Sequence, residues 1–407
     1  MQLYEAQRHE RPHGQWSESA ARRALERIVA DTHRAFSPER LWPVHPFDVS
    51  PERPDALKPL YYGAAGVIWA LDHLQRRGAA DAVRDYTPAV CDLSLRYHDD
   101  LRANAELERY LGRDVASYLI GTTGMSMLQW KLRPSLEIEQ RIDAALQGKI
   151  GDARGLLWGA AGSMVAAVLM HERTGDSQWA ERFVAHFDAL WDGMTWDEAL
   201  GCWLWVAELY GVSEARLGAL HGFIANAYAM ARGAHLVSPA RRDAAFARIS
   251  QTLRRTALVD ARCANWPHNV GASDRQEPMP LLVQFCSGAP GVIACLADIN
   301  AALELDELLL AAGELVWRAG PTTKFPVLCH GAVGAGYAFL KLHARTGDDE
   351  WLARARLFAM HAVERADRAL EEYGQRKYSL WTGDLGLAVF LWDCIHGSAQ
   401  LPTLDVF

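Results

Sequence analysis

Two cysteines and a histidine carry the strongest chemical suggestion in this chain. Cys286 precedes a Ser-Gly-Ala-Pro-Gly turn, and Cys329 with His330 precedes Gly-Ala-Val-Gly. Both turns open apolar runs, so the two thiols occupy equivalent places in successive units. Two thiolates and an imidazole suit Zn²⁺, and three protein ligands leave the fourth tetrahedral position for water or substrate, as catalytic zinc requires. The thiols are too far apart in sequence for a compact C-x₂-C finger, and the competing reading of each is a small buried hydrophobe. Their equivalence within a repeat favours the metal site.

The unit that positions them recurs seven times from Tyr61 onward. Small-residue turns stand at Gly63 to Gly66, Gly121 to Gly124, Gly159 to Gly162, Gly218 to Gly222, Gly288 to Gly291, Gly331 to Gly334 and Gly383 to Gly386. The runs after them are apolar nearly all round, whereas the stretches between them, such as 177–191 and 348–366, are one-sided with a 3.6 period. Inner and outer helices in repeated pairs predict an all-α fold, an α/α toroid of seven inner and seven outer helices. Glycine costs a helix interior about 1 kcal/mol against alanine, so the pairs imply close packing at the first turn. Inner N-termini gathered at one end would offer partial positive charge and unpaired amides to thiolates. Residues 1–57 hold one helical pattern, Glu18 to Thr32 with Ala21, Leu25, Ile28 and Val29 on one face, and then a proline-rich loop. They are expected to form a wrapping segment or lid ahead of a toroid domain over 58–407.

These residues resemble the LanC-like family, the lanthionine synthetase C group. Phe285 to Gly291 is similar to its Cys-His-Gly-Ala-Pro-Gly motif, Leu328 to Gly334 to its second Cys-His-Gly segment, Arg216 to Gly222 to a third hallmark and Tyr378 to Gly386 to a fourth. The resemblance implies zinc bound by Cys286, Cys329 and His330, with His221 as acid or base beside the metal. Ser287 stands where many members carry histidine. Gly155 stands at the position aligned with an aspartate of the lantibiotic cyclases, and Asp152 lies nearby. That departure tilts the resemblance toward the eukaryotic-like branch, whose members add glutathione to dehydroamino acids. Lys324 and Arg376 match basic positions associated with glutathione binding in that branch.

The implied activity is zinc-dependent Michael addition of a thiol, from glutathione or a peptide cysteine, to dehydroalanine or dehydrobutyrine in a peptide or protein. The product is a thioether of the lanthionine type. The alternative is a non-catalytic zinc-containing peptide-binding or scaffold protein of the same fold. A glycosidase-like toroid would need two carboxylates facing each other across a cleft, and only Asp152 and Asp384 stand near the turns, each alone.

Composition narrows the partners. Of 407 residues, 50% are hydrophobic and 23% charged, enough for a large core. A formal charge of −8 without a basic cluster argues against nucleic acid and against an anionic membrane surface. The N-terminus lacks the apolar stretch of a secretory signal, and the run from Leu156 to Met170 is shorter than the roughly 20 residues that span a bilayer. A cytoplasmic protein, not an integral membrane one, is expected. Seven scattered cysteines do not suggest a disulfide framework, and Cys91, Cys202, Cys263, Cys295 and Cys394 read as packing residues. The Pro-, Gly- and Asn-rich stretch 263–280 reads as a rim loop carrying His268. Trp158 and Trp203 are expected in the core, and Trp266 and Trp381 beside a peptide groove.

Overall fold

The way each helix begins separates two classes. Ser17, Ser135, Asp176, Ser238 and Asp348 accept a hydrogen bond from a backbone N–H of the helix they precede, the side-chain capping that contributes about 1 kcal/mol at a solvent-facing N-terminus. Another set is preceded by glycine and has no side-chain cap. In the computed structural model, which describes residues 2–49, 57–105, 108–109, 112–274, 279–299 and 304–407, the glycine-led helices form the inner layer and the capped ones belong to the outer layer.

Fourteen α-helices stand among the described residues. The inner layer comprises α2 (Ala64–Arg76), α4 (Thr122–Leu132), α6 (Ala160–Thr174), α8 (Phe223–Arg232), α10 (Ala289–Leu296), α12 (Ala332–Thr346) and α14 (Asp384–His396). The outer layer comprises α1 (Glu18–Ala35), α3 (Thr87–Ala103), α5 (Leu136–Gln147), α7 (Ser177–Asp192), α9 (Pro239–Thr256), α11 (Asp306–Ala319) and α13 (Asp349–Tyr373). Each inner helix packs on the next, and α14 packs back on α2, so the ring closes. The expected α/α toroid is the observed fold. Burial explains the layers: all eight residues of α10 and the first eleven of α6 are buried, and a fully buried large apolar side chain contributes about 1.5–3 kcal/mol over an exposed one.

The second glycine of each turn has a specific neighbour. A Cβ added at Gly66 would lie 2.1 Å from the carbonyl oxygen of Leu60, and one at Gly334 would lie 2.0 Å from that of Leu328. Each turn thus folds back onto the first turn of its own helix. Behind that carbonyl comes the adjacent unit, Leu380 Cβ beside Gly66 and Phe285 Cβ beside Gly334. Backbone hydrogen bonds continue the interlock, from Cys286 N to Cys329 O (3.0 Å), Cys329 N to Trp381 O (2.9 Å), Trp381 N to Tyr61 O (3.0 Å) and Tyr61 N to Leu119 O (2.9 Å). The fold-back also consumes amides that the sequence reading left open for thiolates. Ala64 N, Thr122 N and Asp384 N donate to the carbonyls of Leu57, Val115 and Lys377, and Ala289 N donates to Asn265 Oδ1. At those inner N-termini, first-turn amides already have partners.

Two further features depart from the sequence reading. Among the described residues seven short strands form three small antiparallel sheets: β1 (Thr195–Asp197) with β2 (Cys202–Leu204), β3 (Ala207–Leu209) with β4 (Val212–Arg216) and β7 (Asn269–Ser273), and β5 (Leu258–Asp260) with β6 (Cys263–Asn265). The expected rim loop therefore holds β6 and β7, while its residues 275–278 lie outside the described residues. The N-terminal segment, moreover, supplies the seventh outer helix. Helix α1 packs on α14 and α13 through Ala21, Ala24, Leu25, Ile28 and Val29. Ahead of it, Glu10 N donates to Pro321 O and Thr323 N to Arg8 O. The described residues before 50 thus build the same ring as the rest; the proline-rich loop is described only to residue 49, and 50–56 lie outside the described residues. Among the described residues no helix is long and apolar enough to cross a membrane.

Candidate functional site

Interlocked turns bring the two distant thiols side by side. The Cys329 thiol donates a hydrogen bond to Cys286, which holds the Cys286 thiol below its ordinary range despite burial, aided by Gln284 and the charge of Lys324. The same bond, with burial and the neighbouring sulfur, holds Cys329 well above it. Gln284 Nε2 lies 3.0 Å from Cys286 Sγ, and Lys324 Nζ lies 3.3 Å from Gln284 Oε1. Tyr61 is hydrogen-bonded to Cys329 and stacks on Trp381 with ring centroids 5.9 Å apart. The two thiols thus differ in proton affinity, Cys286 the lower and Cys329 the higher.

A cavity of about 1490 Å³ opens in front of the pair, with Tyr61, His221, Gln284, Cys286, Lys324 and His330 on its walls. Burial, with Lys324 and Lys377, pushes the His330 imidazole down to about 4, leaving it neutral, the form that ligates metals. Burial also pushes His221 down to about 3, with Arg216 and His268 adding to the effect. Its Nδ1 is buried without a hydrogen-bond partner among the described residues. At neutral pH His221 therefore carries no charge. Among the described residues no three His, Cys, Asp or Glu side chains stand together in ligand geometry. Two adjoining thiols, Cys286 with a lowered proton affinity and Cys329 with a raised one, and a neutral imidazole on the cavity wall with Cys286 are nevertheless donors of the type zinc takes.

Other expected residues lie elsewhere. Arg376 is buried and bonds Asp384 Oδ2 and Asp367 Oδ1, each at 3.3 Å; its neighbour Lys377 lines the cavity instead. Asp384 is buried in that pair, and burial pushes its carboxyl up to about 6 despite Arg376. Asp152 binds Arg154 Nε at 2.8 Å, and Arg154 Nη2 in turn holds Asp114 at 2.7 Å. His268 lies 3.8 Å from Glu214, with which Arg216 makes a buried pair at 3.0 Å. Trp266 and Trp381 are fully buried core residues; Trp158 is buried in the core as expected and also borders the cavity, and Trp203 is half-buried. Sequence reasoning missed Tyr61, Gln284, Tyr210 and Lys377. Tyr61 had a signal: like Cys286, Cys329 and Trp381, it stands two residues before the leading glycine of its turn.

The chain matches the family described as lanthionine synthetase C-like protein over residues 60–406. It is 29% identical over 200 residues to a protein of Danio rerio named glutathione S-transferase LANCL1, covering 47% of this chain and 46% of that one. It is 34% identical over 136 residues to the LanC-like protein GCL1 of Arabidopsis thaliana, covering 31% and 30%. The matched stretches thus span less than half the length of these relatives. Among solved structures, nisin cyclase superposes with a TM-score of 0.61 over 95% of this chain and 96% of its own, at 15% identity.

Proposed function

Because this chain belongs to the lanthionine synthetase C-like family, we propose that it joins a thiol to the double bond of a dehydroalanine or dehydrobutyrine residue in a peptide or protein, with glutathione as the donor. The observation that carries this reading is Cys286 at the wall of a peptide-sized cavity shared with His221, hydrogen-bonded to the buried thiol of Cys329. The relative named as a glutathione S-transferase supports the donor. So does Lys324, a cation on the cavity wall that suits the carboxylates of glutathione.

Cys286, Cys329 and His330 would hold Zn²⁺, which when bound supplies charge stabilisation that keeps a donor sulfur ionised at neutral pH. Addition forms the C–S bond at the β-carbon while the π electrons move toward the amide oxygen. The thiol proton ends on the α-carbon. His221 is the group proposed to carry it: the ring starts neutral, and its low proton affinity favours release to carbon once it has been protonated. A positioned acid of this kind contributes about 10²- to 10⁴-fold, and confinement of both partners in the cavity adds to it. Seven free cysteines suit the reducing cytoplasm as the setting.

The test incubates purified protein with a dehydroalanine peptide and glutathione, with and without a chelator. A mass gain of one glutathione is expected, abolished by the chelator and slowed about 10²-fold or more by His221→Ala at unchanged metal content. Ring closure in a cysteine-bearing dehydropeptide without glutathione would reassign the donor. Bound zinc with no thioether under either condition would overturn the enzyme in favour of a scaffold.

A further inference from the structure

At the tip of the β3–β4 hairpin a tyrosine occupies a backbone position that favours asparagine. Leu209 pairs with Val212, which leaves Tyr210 and Gly211 as a two-residue loop, with φ of +58° and +71°. Positive φ at both positions is the type I′ pattern, whose first place favours Asn, Asp or Gly. A bulky side chain there is strained, and such strain persists only where the surroundings enforce it. Here Arg216 enforces it, donating to Leu209 O at 2.8 Å and Val212 O at 3.3 Å, one on each side of the tip. Burial does not compensate, because Tyr210 remains 56% exposed.

What the ring gains is a place on the reaction cavity. It stands edge-on to His221, with centroids 6.0 Å apart at 81°, and edge-on to Trp158 at 6.0 Å and 87°. Its phenol also lies within electrostatic reach of Tyr61, the group bonded to Cys329. Tyr210 therefore neighbours the proposed proton carrier on the cavity that Cys286 also lines.

Resting on the thioether reading above, we propose that Tyr210 is a catalytic residue of that reaction, its phenolic O–H donating to the acceptor's amide oxygen as negative charge develops there. The phenol keeps its proton throughout; the proton that reaches the α-carbon is still the one the thiol gave up, and no electrons are exchanged with any other group. A rigid donor aimed at a developing oxyanion is worth about 10²- to 10³-fold, and the clamped hairpin supplies the rigidity.

Two variants test this. Tyr210→Phe keeps the ring and removes only the hydroxyl; it is expected to lower kcat about 10²-fold with KM and metal content near wild type. Tyr210→Asn suits the turn and is expected to raise the thermal midpoint by roughly 1–2 °C while losing the same activity. Wild-type kcat in Tyr210→Phe, a loss confined to KM, or a lowered midpoint in Tyr210→Asn would each overturn the role while leaving the thioether reading intact. Absence of any thioether product from the wild type would overturn that reading, and this one with it.

Discussion

Glycine at position 155 is required by the backbone. Its φ is +91°, and an added Cβ would stand 2.5 Å from Leu220 O and 3.0 Å from both Gly222 N and His221 Cα. The cyclase aspartate has no room here, and Asp152 is held by Arg154. Gly155→Asp is accordingly expected to cost about 1–3 kcal/mol of stability, read by denaturant unfolding, and to disturb the His221 turn without raising thioether formation; higher activity at unchanged stability would contradict this. Residue-scale legibility followed chemistry. Cys286 and Cys329 could be picked out by their equivalent places before two glycine turns, and His221 through the family resemblance; Cys286 and His221 line one cavity, and Cys329 is hydrogen-bonded to Cys286. Tyr210 could not, because a tyrosine in sequence looks like any packing residue, and Tyr61 carried only the signal of its place before a glycine turn. Arg376 shows the converse failure: sequence displays a charge but not its direction, and here Arg376 turns to buried carboxylates while Lys377 turns to the cavity.

At the scale of elements, the glycine turns fasten the thiol-bearing segments to one another. Gly334 is the most direct probe, since an added Cβ would meet Leu328 O at 2.0 Å and Phe285 Cβ at 2.8 Å, the residues immediately before Cys329 and Cys286. Gly334→Ala should therefore cost about 1–3 kcal/mol through overpacking and, for the proposed zinc site, also lower the zinc bound, because any relief moves one thiol relative to the other. Gly148→Ala is the control: its added Cβ would approach nothing nearer than Ala145 O at 3.6 Å, so stability within about 0.5 kcal/mol of wild type is expected. Equal stability and metal content in both variants would sink the argument. The helices and their two layers were readable because a 3.6 period sustained over a dozen residues has few alternatives. The strands were not, since three residues, as in β1 or β5, are too few for alternation to show.

On the scale of the whole molecule, the closed ring was expected from seven repeated helix pairs, but the place of its first outer helix escaped the sequence for a topological reason. The pattern over Glu18 to Thr32 says which face of α1 is buried, but not that its partner is α14 at the other end of the chain. A closed double layer also buries titratable groups that serve no site, and these set its response to acid. His73 on α2 is pushed down to about 4 by burial together with Lys131 and Arg77. His186 on α7 is likewise pushed down to about 4, by burial and then Arg182. Below pH 6.5 an unfolded chain takes up protons at both rings that the native state refuses until about pH 4. Stability from these groups is therefore complete above pH 6.5 and is lost progressively as pH falls from 6.5 toward 4, by up to about 3 kcal/mol for each. Replacing His186 by leucine removes one such ring while keeping the site apolar. Denaturant unfolding at pH 7.5 and pH 5 should show a smaller difference for that variant than for wild type, and an undiminished difference would mean that the acid sensitivity arises elsewhere.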